Sequence, residues 1–346
     1  MSKRSLVAFS LILAILSIAV VWCNLLDSPC VAQAKLDEPQ DFNDVLKSAQ
    51  KGDPNAQFNL GFMFYKGDGV PQDYKEAVKW FTKAAEQGLA VAQFNLGTMF
   101  NNGIGIPQDY KEAVKWYTKA AEQGNAIAQF NLGLIFHDGK DYNEAIKWYT
   151  KAAEQGHAVA QFGLGSMYEF GDGVPQDYKE AIKWHTKAAE QGYAVAQFFL
   201  GGMYADGKGV PEDYKEAMKW FTKAAEQGYA KAQSNLGIIF AEGMGVPQDY
   251  KIAIKWWTMA AEQGHAGSQY NLGVSFFKGN GVPEDYVQAY KWFILAAAQG
   301  DQEAIKAKDS LKQSMTPEQI AEAQKLAKEF FAKKEDSKDT EPSGLK

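Results

Sequence analysis

Apolar residues recur at helical spacing in short blocks along most of this chain. In the first clear block, Ala56, Leu60 and Met63 fall on related faces of one helix. The segment Gly67–Pro71 predicts the end of that helix, because glycine enters left-handed conformations easily and the residue before a proline is pushed out of the helical region. A second apolar block follows within a few residues. The pattern therefore predicts two consecutive helices joined by a tight turn.

The second block predicts a helix with one buried stripe, with Trp80 beside it. Its apolar residues lie at i, i+3, i+7, i+10 and i+11, namely Tyr74, Ala77, Phe81, Ala84 and Ala85. Asp73 stands where the helix begins, and Glu76 three residues later completes the sequence pattern of a capping box. Gln87-Gly88 ends the block. Each unit is therefore expected to be an antiparallel helix pair.

This pair recurs along the chain at a nearly constant period. One tryptophan recurs at the same place in each copy. Five of the six steps between these recurring tryptophans are 36 residues long, and the step from Trp116 to Trp148 is 32. One helix pair cannot bury its own apolar face, so the pairs must stack. The tryptophans that mark the units are Trp80, Trp116, Trp148, Trp184, Trp220, Trp256 and Trp292. We predict an all-α fold, an α-solenoid of about seven antiparallel helix-pair repeats with helical caps.

The repeated phrase identifies a family resemblance. A-x-A-Q-F-N-L-G-x-M-F, then G-x-G-V-P-Q-D-Y-K-E-A-x-K-W, then K-A-A-E-Q-G resembles the Sel-one-like repeat, a relative of the tetratricopeptide repeat. The resemblance covers residues 53–300 and implies a right-handed superhelix. The third unit lacks four residues of the turn between His137 and Tyr142, so uniform curvature is not expected there. The units are 53–88, 89–124, 125–156, 157–192, 193–228, 229–264 and 265–300.

The two ends of the array are expected to be capped. Residues 35–52 contain a linker and one helix, Phe42 to Lys51, that would pack on the first repeat. Residues 301–334 contain two helices, and the second begins at Thr316-Pro317-Glu318-Gln319 with the pattern of a capping box and a proline in the first turn. The polar residues 335–346 are predicted to be a disordered tail.

The first 34 residues have the composition of a secretory signal. Lys3 and Arg4 precede an apolar run from Leu6 to Trp22, and Ala32-Gln33-Ala34 offers small residues where a signal peptidase cleaves. The alternative is an uncleaved membrane anchor. Both cysteines of the chain precede the cleavage site, so no disulfide is expected in the mature protein. We expect a bacterial protein that is periplasmic or secreted.

Composition and motifs argue against several functions. The net charge of −6 provides no basic surface for nucleic acid. The four histidines have no spacing typical of a metal site, so neither a metal nor a cofactor is predicted. Ser48-Ala49-Gln50-Lys51 matches one element of a β-lactamase site, but no S-D-N or K-T-G follows. We therefore expect no catalytic residues and no enzyme, with a β-lactamase-like or cell-wall-acting enzyme as the alternative.

The first helix of each repeat holds the candidate binding residues, because in helix-pair solenoids this helix lines the concave surface. Asparagine recurs in the middle of these helices although its side chain competes with the helical backbone. Its amide either bonds a neighbouring helix or bonds the backbone of an extended peptide, while the neighbouring rings pack between repeats or flank peptide side chains. The candidates are Phe58, Asn59, Phe62, Phe94, Asn95, Thr98, Phe130, Asn131, Phe162, Phe198, Asn235, Tyr270 and Asn271.

The function that fits this pattern is an exported, non-catalytic adaptor that binds a protein or peptide partner on its concave face. A membrane-anchored envelope assembly factor is a further alternative, and it differs in whether the apolar run from Leu6 to Trp22 is retained. The sequence does not identify the partner or the oligomeric state.

Overall fold

The computed structural model describes residues 41–339, with side chains described up to residue 333. The predicted signal peptide (residues 1–34), both cysteines and residues 340–346 of the predicted tail lie outside the described part. Within it the chain forms 17 α-helices and no strands. The all-α fold and the seven helix pairs of an α-solenoid are thus confirmed.

The helices alternate between two roles. A capping helix, α1 (Phe42–Gln50), precedes the first pair, and α16 (Gln302–Lys312) and α17 (Pro317–Asp339) follow the last. The first helices of the repeats are α2 (Pro54–Lys66), α4 (Ala90–Asn102), α6 (Ala126–Asp138), α8 (Ala158–Phe170), α10 (Ala194–Asp206), α12 (Ala230–Glu242) and α14 (Ala266–Lys278). The second helices are α3 (Tyr74–Glu86), α5 (Tyr110–Glu122), α7 (Tyr142–Glu154), α9 (Tyr178–Glu190), α11 (Tyr214–Glu226), α13 (Tyr250–Glu262) and α15 (Tyr286–Ala297).

The turn inside a repeat is built as the sequence indicates, with one difference. Gly67 ends α2 in the left-handed region at φ 76°, and the Asp73 carboxylate accepts from the amides of Lys75 and Glu76. Glu76 does not return the bond as a capping box requires, because its carboxylate lies beside the Lys79 ammonium instead and the amide of Asp73 donates to the Phe64 carbonyl. A nearby cation therefore takes the carboxylate away from the cap.

Within each repeat, the glycine of the Leu-Gly pair makes room for a ring of the second helix. A Cβ atom on Gly97 would lie 2.7 Å from Cδ1 of Tyr117, closer than real Cβ contacts come. The same pairing recurs in every copy, with the rings of Phe81, Tyr117, Tyr149, His185, Phe221, Trp257 and Phe293. Glycine inside a helix costs about 0.5–1 kcal/mol relative to alanine, and close packing of the two helices offsets that cost.

The apolar core consists of consecutive clusters and has no single centre. The described part of the chain divides into two compact units, with the boundary between residues 188 and 189. In the first unit, one cluster joins Phe81 of α3 to Leu96 of α4 and Trp116 of α5, and the next joins Tyr117 of α5 to Leu132 of α6 and Trp148 of α7. In the second unit, Phe221 of α11 packs with Leu236 of α12, and Trp256 of α13 packs against them. Each repeat is therefore held by its neighbours in the chain.

Two expectations about burial and order are wrong. Tyr74 is 36% exposed and does not belong to the buried stripe of α3. The last helix continues to Asp339, so residues 335–339 are helical and not a disordered tail. Ala323 and Ala327 of α17 are buried, and once a helix is anchored in this way lysine and glutamate extend it at little cost. None of the described helices has the length and hydrophobicity needed to cross a membrane.

Candidate functional site

A buried glutamine begins a hydrogen-bond ladder in every repeat. The Gln93 side chain is 4% exposed, and its Nε2 donates to the carbonyl of Ala85 in the preceding second helix at 3.1 Å. Its Oε1 accepts from Nε2 of Gln123 at 2.8 Å. The glutamines that donate to the preceding helix in this way are Gln57, Gln93, Gln129, Gln161, Gln197, Gln233 and Gln269. This ladder fixes the distance and register between consecutive helices.

The ladder was not recognised from the sequence, although a signal for it exists. Glutamine stands in the same A-Q or S-Q pair in all seven copies, among residues that are otherwise apolar. A polar residue kept at an apolar position in every copy predicts a satisfied buried hydrogen bond. The asparagines two residues later attracted attention because asparagine is unfavourable inside a helix, whereas glutamine is not.

The candidate rings on the first helices pack inside their own repeats. Phe58 is 2% exposed and Phe162 is 8% exposed, and the other ring candidates are half-buried. Each ring lies against the ring of its second helix, with centroids 5.5 Å apart for Phe58 and Phe81 and 5.9 Å for Phe94 and Phe130 with their tyrosine partners. Phe162, Phe198 and Tyr270 follow the same pattern. At these positions the packing interpretation holds.

In the sixth repeat the first and second helices also pack closely, but with different residues. Ser234 replaces the ring of the first helix, and Trp257 replaces the smaller ring of the second. The Trp257 indole occupies the space beside Gly237 and donates from Nε1 to the Ser234 carbonyl at 3.3 Å. A larger ring on one helix is matched by a smaller residue on the other.

The candidate asparagines differ from one another in their hydrogen bonds. Asn95 donates from Nδ2 to the carbonyl of Val91 in its own helix at 2.8 Å. The side chains of Asn131, Asn235 and Asn271 are half-buried and form no hydrogen bond with the residues that the structure describes. Within each compact unit, we call the surface formed by its candidate asparagines and the residues one helical turn further on the first-helix face. The amides of Asn131 in the first unit and of Asn235 and Asn271 in the second bond no described residue.

Phe62 and Thr98, the remaining candidates, also lie on the first-helix face. Phe62 is half-buried and stacks on Phe58 with centroids 6.4 Å apart, while the Lys66 ammonium lies 5.9 Å from its ring. The Thr98 hydroxyl donates to the Phe94 carbonyl and accepts from the Tyr117 hydroxyl, each at 3.1 Å. Thr98 is therefore engaged in packing, whereas Phe62 keeps an accessible edge.

Two histidines cap helices rather than bind metal. Nδ1 of His157 accepts from the amide of Ala160 at the start of α8, and Nδ1 of His265 accepts from the amide of Ser268 at the start of α14. Burial lowers the pKa of His157 to about 4 and lowers that of His265 as well. Neutral imidazole is the form that can accept these bonds. Across the described residues no group of three or more histidine, cysteine, aspartate or glutamate side chains could hold a metal ion.

The Ser48–Lys51 match lies at the C-terminal end of α1. The Ser48 carbonyl accepts from the amides of Lys51 and Asp53, which is the ordinary geometry of a helix end. His185 is buried with its Nε2 3.3 Å from Oε2 of Glu169, and it fills the ring position of the fourth repeat. Neither arrangement places a nucleophile beside a base in a cleft.

Comparison with known proteins identifies the family to which these stacked helix pairs belong. The sequence model of the Sel1 repeat matches residues 54–89, 90–125, 126–157, 158–193, 194–229, 230–265 and 266–301. The chain belongs to the Sel1 repeat family. Proteins of this family are generally non-catalytic helical scaffolds.

Solved structures of Sel1 repeat proteins are similar to the chain. A Sel1 repeat protein from Oxalobacter formigenes is 37% identical over 78% of this chain and 79% of its own, with a TM-score of 0.67. A protective antigen of uropathogenic Escherichia coli with the same repeat fold is 31% identical over 88% of this chain and 83% of its own, with a TM-score of 0.42. The comparison with curated proteins finds no match.

Proposed function

We propose that this Sel1 repeat protein is an exported, non-catalytic adaptor that binds an extended segment of a partner protein along its first-helix face. The observation that carries the proposal is that half-buried asparagine amides in each compact unit, on Asn131 in the first and on Asn235 and Asn271 in the second, form no hydrogen bond to the described residues. An amide presents both a donor and an acceptor, so it pairs with the N–H and C=O of a peptide backbone. Satisfying half-buried polar groups favours the bound state.

Specificity would come from the residues one helical turn after the asparagines, which differ from repeat to repeat. Phe62 and Ile238 offer apolar surface, and Gly202, at the equivalent position of the fifth repeat after Phe199, leaves open space, with no heavy atom within 4 Å of the point where a Cβ atom would stand. The asparagine amides recur from repeat to repeat, while the residues beside them change. An extended peptide fits this surface, because its backbone groups also recur while its side chains differ. A cofactor is not part of this function.

Export is proposed from the first 34 residues alone, which place the mature protein in the periplasm or outside a bacterial cell. N-terminal sequencing of the exported protein tests this directly, with Lys35 expected as the first residue. Recovery of intact protein that begins before Leu6 would favour the membrane-anchored alternative.

The binding test compares amides that are free with one that is engaged. A partner captured from bacterial envelope extract and then purified should bind the triple variant Asn131→Ala/Asn235→Ala/Asn271→Ala about ten-fold to a thousand-fold more weakly, since each hydrogen bond contributes about 0.5–1.5 kcal/mol. Asn95→Ala is the matched control, because Asn95 already bonds its own helix. Titration calorimetry measures the affinities, and a thermal melt checks that both variants fold.

Unchanged affinity of the triple variant, with its fold intact, would show that the partner binds elsewhere. The enzymatic alternative has its own test. Hydrolysis of the chromogenic β-lactam nitrocefin that disappears in Ser48→Ala would contradict a non-catalytic adaptor.

A further inference from the structure

An open cleft of about 630 Å³ lies beside α11, and none of the residues described as lining it belongs to a first helix. Its apolar lining includes Met218, Trp220 and Val246, and the side chains of Lys215, Lys219 and Lys223 stand around it. Val246 comes from the turn that precedes α13. The cleft is therefore formed by the fifth repeat and the turn of the sixth, both within the second compact unit.

Trp220, which lines this cleft, has an unused hydrogen-bond donor. Its side chain is 9% exposed, and its Nε1–H has no acceptor among the described residues. Leaving a buried donor without a partner is unfavourable. The indole is held in place because the Lys223 ammonium lies 4.1 Å from its ring centre. A ligand that supplied an acceptor would remove that cost.

The third repeat shows which acceptor this position takes. There Trp148 donates from Nε1 to Oε2 of Glu144, four residues earlier, at 3.1 Å. In the fifth repeat the residue four positions before Trp220 is Glu216, but its Oε2 lies 2.6 Å from Nζ of Lys219 and accepts no bond from the indole. A carboxylate is thus the acceptor of this indole in the third repeat, where Glu144 also accepts from Lys147, and in the fifth repeat Glu216 does not supply that bond.

The charges around the cleft favour the same chemistry. Three lysines surround it, with Glu216 as the one acidic residue among its lining. Lys215 forms no salt bridge with any residue the structure describes. A carboxylate beside these lysines would gain both a charge-assisted hydrogen bond and a favourable electrostatic environment. Met218 and Val246 would contact an apolar neighbour of that carboxylate.

We propose that this cleft binds a glutamate or aspartate side chain from an acidic segment of a partner protein. The carboxylate accepts from Trp220 Nε1, and the apolar residue next to it packs against Met218 and Val246. The indole nitrogen is covered in the present state, so side chains around it must move as the ligand enters. This site is separate from the first-helix face and does not depend on the adaptor proposal.

The experiment uses two blocked hexapeptide libraries that are identical except for a central glutamate or a central glutamine. The glutamate library should bind the full mature protein at least about ten-fold more tightly by fluorescence anisotropy, and it should shift the indole N–H resonance of Trp220 in a ¹⁵N-labelled sample. Trp220→Phe keeps a ring but removes the donor, and it should lower the affinity for the glutamate library about ten-fold. Trp148→Phe is the matched control and should leave the affinity unchanged, because that indole is already bonded to Glu144.

Two further variants keep the test decisive if Trp220→Phe folds poorly. Glu216→Gln removes the competing carboxylate and should tighten the glutamate library about three-fold or more. Val246→Glu places a carboxylate within the cleft and should abolish the preference for glutamate. Equal binding of the two libraries, or equal losses in Trp220→Phe and Trp148→Phe, would overturn the proposal. Acetate that shifts the Trp220 resonance as strongly as the peptides, at the same concentration, would show a site for small anions and overturn it as a docking surface.

Discussion

Primary amides occur in two regions of each repeat, and the two regions use them differently. In the seam, which we define as the buried contact of a first helix with the second helices before and after it, the amide of Gln93 is bonded on both sides, to Ala85 and to Gln123. On the first-helix face, two residues further along the chain, Asn95 bonds its own helix and Asn131 bonds no described residue. The seam uses its amides for assembly, while the face leaves some of them available.

The third repeat shows that the glutamine hydrogen bonds of the seam do not depend on the length of the turn. Its turn is shorter than the others, but its glutamine pair is bonded in the same way. Gln129 and Gln155 are 26 residues apart, where the corresponding pairs elsewhere are 30 apart, yet their side chains bond at 2.6 Å. The shorter turn contains Lys140, which adopts the left-handed region at φ 61°. Seam geometry is therefore independent of turn length, and the repeats can vary outside the seam without losing register.

The largest effect is expected from removing a seam tryptophan. Trp184 is 8% exposed and packs with Tyr149 and Leu164 in the first unit, so Trp184→Ala should lower the free energy of unfolding by about 3–5 kcal/mol. Trp292→Ala should lower it less, because a terminal repeat couples to fewer neighbours. Urea unfolding measures both. Equal losses would argue against stability that depends on nearest neighbours.

A smaller loss of stability should distinguish the glutamine amides of the seam from the asparagine amides of the first-helix face. Gln93→Ala removes two hydrogen bonds, while the Ala85 carbonyl still accepts from the amide of Gly88 and the Gln123 side chain still donates to the Gly88 carbonyl, so we expect a loss of about 1–3 kcal/mol. Asn95→Ala should change stability by less than about 0.5 kcal/mol, because alanine is the better helix former. Chemical denaturation of the two variants compares them. If Asn95→Ala proved as costly as Gln93→Ala, the first-helix face would be as structural as the seam.

A pH-dependent effect is expected at His157, which caps α8 beside the seam. Its pKa is lowered to about 4 by burial, whereas an unfolded histidine titrates near 6.5. Between these values the unfolded chain binds a proton that the folded chain does not, so stability is full above pH 6.5 and falls as the pH drops toward 4. We expect the titration of His157 to lower the free energy of unfolding by about 1–3 kcal/mol at about pH 4.5, relative to its value above pH 6.5.

The third repeat supplies the control for this titration. Asn125 occupies the position of His157 and caps α6 by accepting from the amide of Ala128 at 2.8 Å. His157→Asn should therefore keep the cap at pH 7 while reducing the loss of stability at low pH. Urea unfolding at the two pH values gives the comparison, and an unchanged pH dependence would show that His157 is not its source.

The smallest effect is expected in the short turn of the third repeat. Lys140→Gly should stabilise the protein by about 0.5–1 kcal/mol, because glycine adopts the left-handed region without the steric cost that lysine has there. Lys140→Ala removes the same charge and keeps the cost, so it should give no gain. A lower melting temperature for Lys140→Gly would mean that the short turn is not strained.

Local periodicity predicted the elements well and their contacts less well. The helix pairs, their glycine stops and the aspartate caps follow from residues close together in the chain, as at Gly67 and Asp73. The partner of the Glu76 carboxylate could not be predicted in this way, because the helix cap and the Lys79 ammonium compete for it with similar energies. The exposure of Tyr74 and the extension of α17 also depend on contacts that periodicity does not encode.

The sequence by itself determined the repeat, the alternation of helices and the family, because seven copies of one phrase constrain every element in the same way. Only the tertiary structure decided which amides are engaged. Gln93 and Asn95 are two residues apart on one helix, and an α-helix turns about 200° over two residues, so one points into the seam and the other onto the first-helix face. Whether a side chain on either face finds a partner depends on the packing of the next helix.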